Sequence, residues 1–134
     1  MDMEAIKKVY DFLEEAKTFY LATVEGDQPR VRPYGAQLFY EGNLYLMSFG
    51  ETAATKQIAQ NPKAELCAFK GQTLRVACVL VEDQRPEVKK ALAEKMPSLK
   101  PLLGENGEKG VMYKVTNATA TFFKLMEPVE TVTF

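Results

Sequence analysis

The chain contains no histidine and no tryptophan. Without histidine there is no Ser-His-Asp triad, no Cys-His pair, no His-ligated zinc or haem, and no side chain that titrates unperturbed near neutrality. Whatever chemistry occurs is left to other groups, a borrowed cofactor among them. Cysteine is scarce too: Cys67 and Cys78 form no CxxC pair and sit in apolar runs, where free thiols pack as small hydrophobes. No stretch approaches the ~20 apolar residues that span a bilayer. The opening MDMEAIKKVYDF is charged and amphipathic, without the apolar centre of a signal peptide. The expectation is a cytoplasmic protein with no membrane partner. An excess of charge is also missing, since 17 basic residues face 18 acidic ones for a net charge of −1. That balance argues against nucleic acid, whose phosphates call for a basic stripe.

What is present is an ordinary globular mixture, 46% hydrophobic and 26% charged over 134 residues. It points to a single domain spanning 1–134, large enough to bury roughly 65–70% of its unfolded surface without a metal or disulfide staple. Ile6, Val9, Tyr10, Leu13 and Ala16 recur at helical spacing and predict an amphipathic helix over Glu4 to Lys17. Strands are expected over Phe19–Val24, Pro29–Tyr40 and Leu44–Ser48, joined by tight turns at Glu25–Gln28 and Glu41–Asn43. A short helix from Ala53 to Gln60 stops at Asn61-Pro62. Strands over Ala64–Phe69 and Thr73–Glu82 follow, then a helix that Pro86 opens and that runs to Met96. A breaker-rich connection leads to a last strand, Val111–Lys124, with Glu127–Phe134 as a tail or an edge strand. The fold class is mainly β (α+β), a small antiparallel barrel flanked by short helices.

Three segments carry chemistry. Arg30 and Arg32, two of four arginines, are separated by one residue, so a strand turns both to one face, with Tyr34 next in line. Two guanidiniums one pleat apart repel unless an anion or a carboxylate lies between them; a solvated edge guarded by charge is the competing reading. The second segment is Ser48-Phe-Gly-Glu-Thr52-Ala-Ala-Thr55-Lys56. Thr52 is a natural N-cap, and the turn after it carries Thr55 and Lys56 but no acid. Free amides, hydroxyls and a lysine at the positive end of a helix make a phosphate site. Alternatively, Lys56 is simply a solvated residue. The third is Arg75, a charge inside the apolar strand Thr73–Glu82, which either snorkels to the barrel rim or faces a subunit boundary or ligand. The acidic pairs Glu14-Glu15 and Glu82-Asp83 read as solvated element ends.

In order and spacing, the pieces Phe19-Tyr-Leu-Ala-Thr23, Gln28-Pro-Arg-Val-Arg-Pro33, Met47-Ser48, Thr52-x-x-Thr55-Lys56, Gln57-Ile-Ala-Gln-Asn-Pro62 and Leu74-Arg-Val76 resemble the pyridoxamine 5′-phosphate oxidase-like FMN-binding split-barrel superfamily, in its small single-domain bacterial members. The resemblance covers nearly the whole chain. It implies a six-stranded antiparallel split β-barrel and a homodimer with FMN at the subunit interface. By the same resemblance, Arg30 and Lys56 hold the FMN phosphate, Ser48 and Thr55 add hydroxyls, and Thr52 and Met47 belong to the same site. The backbone of Val31, Arg32, Pro33 and Tyr34 lies along the isoalloxazine, with the Arg32 side chain turned to phosphate or flavin. Arg75 reaches toward the partner's cofactor. The implied activity is that of an FMN-dependent oxidoreductase or flavin reductase on a small molecule, with NAD(P)H as electron donor. A non-catalytic protein that binds or senses flavin or another phosphorylated ligand is the alternative. Family members that oxidise pyridoxamine phosphate have a longer C-terminal segment with Trp, Arg and His, and members linked to nitroimidazole resistance carry a His near the cofactor. This chain has neither feature. Some relatives bind a deazaflavin or haem instead.

Overall fold

The computed structural model describes residues 3–104 and 106–134. Helix α1 (Met3–Ala16) buries Ala5, Ile6, Val9 and Leu13 on one stripe. Then β1 (Phe19–Glu25), β2 (Gln28–Tyr34), β3 (Gln37–Tyr40) and β4 (Asn43–Phe49) lead to helix α2 (Ala53–Gln60). Next come β5 (Lys63–Lys70) and β6 (Gln72–Glu82), helix α3 (Pro86–Lys95), a 3-10 turn over Pro97–Leu99, and the single turn α4 (Lys100–Leu103). Strands β7 (Gly110–Lys124) and β8 (Glu127–Thr133) end the chain. Among the described residues no helix is long and apolar enough to cross a membrane.

All eight strands belong to one antiparallel sheet ordered β2-β1-β5-β6-β7-β4-β3, with β8 added on β7. The chain therefore has the expected antiparallel split-barrel architecture, with eight strands where six were expected. Two features make the difference. The segment Pro29–Tyr40 is not one strand: β2 pairs with β1 while β3 pairs with β4, so the chain must leave one ladder and enter another at Gly35-Ala36. The last segment is an edge strand, not a free tail, and Phe134 closes it with reciprocal backbone bonds to Ala118. The connection after α3 also holds more order than its prolines predict, since it forms the 3-10 turn and α4.

β2 and β3 stand at opposite ends of the strand order, yet only two residues join them. The sheet must curl until its ends nearly meet, and the split lies there. Inside the curl, Phe19, Leu21, Leu44, Leu46, Leu66, Leu74 and Val76 pack with α1 in the larger core. On the other face of β4, Tyr45 and Met47 join Val88 and Leu92 of α3 in a second cluster. This explains why β4 reads as an unbroken apolar run, for both of its faces are covered. Glu41 and Gly42, both at positive φ (51° and 76°), form the two-residue turn that returns β3 into β4. Both cysteines are free; Cys78 is buried and its thiol is pushed up to about 12 by burial, while Cys67 is half-buried.

Candidate functional site

Most of the expected site residues converge on α2 from two directions. In the β1–β2 register Arg30, Arg32 and Tyr34 lie opposite Thr23, Leu21 and Phe19, whose side chains are buried inside the curl. Period-two geometry thus turns both arginines toward the face where α2 packs, and sends Val31 and Pro33 outward. From the far side, β4 ends in Met47-Ser48-Phe49 and enters α2 through Thr52.

Thr52 is the N-cap, as its sequence position predicts: its hydroxyl accepts from the Thr55 amide, and α2 has no acid in its first turn. The threonine hydroxyl protons are already placed. Thr52 Oγ1 and Thr55 Oγ1 each donate to the Phe49 carbonyl at 2.7 Å. The Tyr34 hydroxyl and Ser48 Oγ are 2.7 Å apart, and Ser48 Oγ lies 3.3 Å from Thr55 Oγ1. A hydroxyl has one proton to give. In this arrangement the two threonines therefore offer only lone pairs outward, and donors toward an anion come from Lys56 and from the first helical amides. The amides of Ala53 and Ala54 have no acceptor among the described residues. Tyr113, buried beside Thr55, is raised above its ordinary value, chiefly by burial.

The two arginines have separate surroundings. Arg32 donates to the Leu21 carbonyl (3.3 Å), to Thr23 Oγ1 (2.7 Å) and to Gln57 Oε1 (2.8 Å). Thr23 in turn donates to Gln57 Oε1 at 2.6 Å. All of these acceptors are neutral, so the Arg32 charge is held but not cancelled. Arg30 lies at the exposed end and pairs with Glu25 at 2.8 Å. The Lys56 side chain is exposed, and its ammonium has neither hydrogen bond nor ion pair among the described residues. It borders a depression of about 160 Å³ with Val24, Glu25, Gly26, Ala53, Gln57 and Gln60.

Across α2 a larger cavity of about 410 Å³ opens at the split. Pro33, Tyr34, Gly35 and Ala36 form one wall, and Met47, Ser48, Phe49 and Thr52 another. Met96 and Leu99, from the turn after α3, complete it. The structure thus brings Pro33, Tyr34, Met47, Ser48 and Thr52 to one cavity, with Thr55 bonded behind it, while Arg30, Arg32 and Lys56 gather around α2. A roomier depression of about 550 Å³, between α3 and α4 and rimmed by Lys89, Lys90 and Lys100, contains none of the residues singled out in the sequence. Arg75 stands apart from both. It lies on the outer sheet face, paired with Glu65 at 3.0 Å and over the Phe123 ring at 5.7 Å.

Residue-by-residue reading overlooked Thr23 and Gln57, although both leave a signal. Thr23 breaks the inward series Phe19, Leu21, and Gln57 interrupts the buried stripe Ala54, Ile58 of α2. Met96 and Leu99 leave none, since only the path of α3 brings them to the split.

The family model for pyridoxamine 5′-phosphate oxidase matches residues 5–109. Among solved structures, the chain is similar to a NimC/NimA family protein from Clostridium acetobutylicum, at 39% identity with a TM-score of 0.89, over 97% of this chain and 94% of that one. General Stress Protein 26 from Bacillus anthracis (18% identity, TM-score 0.74, 98% and 99% covered) shares the fold. So does HutZ, the haem storage protein from Vibrio cholerae (14%, TM-score 0.66, 99% and 95% covered). No curated protein matches the sequence. A family match across most of the chain, joined to a split barrel whose cavity lies where the motif residues meet, leads to one assignment: the chain belongs to the pyridoxamine 5′-phosphate oxidase-like family.

Proposed function

We propose that the protein binds FMN and acts as an oxidoreductase or flavin reductase on a small molecule, with NAD(P)H as electron donor. The observation that carries this reading is the pairing, at the two sides of one helix, of a cation unpartnered among the described residues with a cavity that none of them lines with charge. Lys56 and the acid-free first turn of α2 suit a phosphate. The neighbouring cavity at the split has a size and an apolar lining that suit a flat ring. Arg30 joins the phosphate set by giving up Glu25, an exposed pair of the kind worth only about 0–1 kcal/mol. Arg32 adds uncancelled positive charge beneath the helix without leaving Gln57. Bound FMN would supply hydride and electron transfer that no side chain here provides. The protein's part is to hold the phosphate, seat the ring along Val31–Tyr34 and keep water from it. Haem fits less well, because the chain has no histidine to offer its iron.

The second part of the proposal is a homodimer with the cofactor between subunits. The outer sheet face supports it: Val31 and Phe69 are 68% and 70% exposed, Tyr20 is half exposed, and Arg75 rises from the same face. Monomers seldom leave such an array open to water. Arg75, tied to Glu65 at an exposed site, is then free to turn to the partner's cofactor.

Purified protein incubated with FMN and desalted tests the reading. A retained two-band flavin spectrum at one FMN per chain, bleached by NAD(P)H and restored by an acceptor with turnover, is the expected result. A flavin that stays bound and is not reduced favours the non-catalytic binding role. A colourless protein that FMN cannot reconstitute overturns both. Light scattering checks the dimer.

A further inference from the structure

We propose that the cavity at the split admits an uncharged, flat ring compound and turns away anions, and that Met96 and Leu99 set this selectivity. The inference rests on the cofactor reading only in taking the β2 side of the cavity as the flavin's. Its basis is a lining without charge. None of the described residues around the cavity is Asp, Glu, Lys or Arg. The polar groups present are hydroxyls, and these are engaged with one another: Tyr34 with Ser48, and Thr52 with the Phe49 carbonyl.

Cations close by in the chain are also occupied. Lys95, adjacent to Met96, is held by Glu14 at 2.9 Å and by the Gln37 carbonyl at 2.6 Å. Arg85 is held by Asp83 and Glu41, each at 2.9 Å. An anion entering the cavity would lose its water and meet no charged side chain in the lining, an unfavourable exchange, because Lys56 and Ala53 open into the separate depression on the other side of α2. A substrate with its own phosphate, as in the activity that names the family, finds nothing here to bind that group.

The wall facing β2 is built for a ring. Met96 and Leu99 are three residues apart across the Pro97–Leu99 turn, and in 3-10 geometry positions i and i+3 align on one side. Both side chains line the cavity. Methionine is pliable and its sulfur favours aromatic neighbours, so the pair presents an adaptable apolar surface to a flat ligand.

The test compares two probes that share one ring system and differ by a single anionic group, 1,4-naphthoquinone and 1,4-naphthoquinone-2-sulfonate. Binding to FMN-loaded protein is read by flavin emission, and binding to FMN-free protein by tyrosine emission. The neutral probe should bind at least tenfold more tightly to the wild type. Leu99→Lys and Met96→Lys should each shrink that ratio at least fivefold, and Leu99→Met should keep it. Equal or tighter binding of the sulfonate overturns the proposal, as does an unchanged ratio in both folded lysine variants, or oxidation of pyridoxamine 5′-phosphate by the holoprotein. Discrimination that persists in a protein unable to take FMN supports this inference and counts against the cofactor reading alone.

Discussion

The Arg32 guanidinium donates to the side-chain oxygen of Gln57 at 2.8 Å, joining a strand at the edge of the split to the buried face of the helix beside it. Gln57 accepts from Thr23 as well, so one amide oxygen serves two donors from two strands. Gln57→Leu removes that acceptor and leaves a hydroxyl and a cation short of a partner. The expected loss is about 1–3 kcal/mol of unfolding free energy, measured by urea denaturation without ligand. An unchanged midpoint would mean that water substitutes for the amide at no cost.

Lys56→Ala should behave in the opposite manner. The side chain is exposed and unpartnered among the described residues, so stability without ligand should stay within about 0.5 kcal/mol of wild type. FMN affinity should fall by about 1.5–3 kcal/mol, the loss of a charge-assisted hydrogen bond. Fluorescence titration with FMN reads it; undiminished affinity would move the phosphate elsewhere.

Glu25→Gln releases Arg30 from its exposed ion pair. Removing a competing carboxylate should tighten FMN binding by up to about 1 kcal/mol, with a gain that shrinks as salt is raised. Weaker binding in this variant would show that Glu25 orients Arg30 and does not compete for it.

The Asp83 cluster predicts an acid limb. The Arg85 guanidinium beside it, and then the Tyr45 hydroxyl at 2.8 Å, hold the Asp83 carboxyl well below the usual carboxylate range. In the same cluster burial, aided by Asp83, pushes the Tyr45 hydroxyl up to about 12. A depressed folded pKa gives stability that is complete above the unfolded value, roughly 4, and is lost as pH falls through the folded one. Asp83→Asn should therefore cost stability at pH 7, and its deficit against wild type should narrow below about pH 4. A deficit constant from pH 7 to pH 2 would assign the loss to packing.

The strands and helices were legible where periodicity is strong. The compact β-type run Phe19–Val24 announced a strand, and the stripe Ile6, Val9, Leu13 announced the buried face of its helix. Two boundaries were not legible, for related reasons. The break at Gly35-Ala36 depends on which ladder each half of Pro29–Tyr40 joins, a choice made by distant β1 and β4. The order in α4 depends on Leu103 finding the Val88–Leu92 cluster. In the site, the motif Thr52-x-x-Thr55-Lys56 indicated the helix start because capping is local. The fate of Arg32 was beyond reach, since phosphate, flavin and the Gln57 amide are equal candidates until the helix is packed.

The joint at Gly35-Ala36 has a mechanical consequence. From Tyr34 to Gln37 the backbone makes three steps, which at full stretch reach only roughly 10 Å. That is about twice the spacing between paired strands. However the barrel breathes, its seam is tethered at this joint to a gap of little more than one missing strand. Beside the joint, a guest thicker than a single layer cannot wedge β2 and β3 apart, so the joint acts as a local gauge of thickness where Gly35 and Ala36 line the cavity.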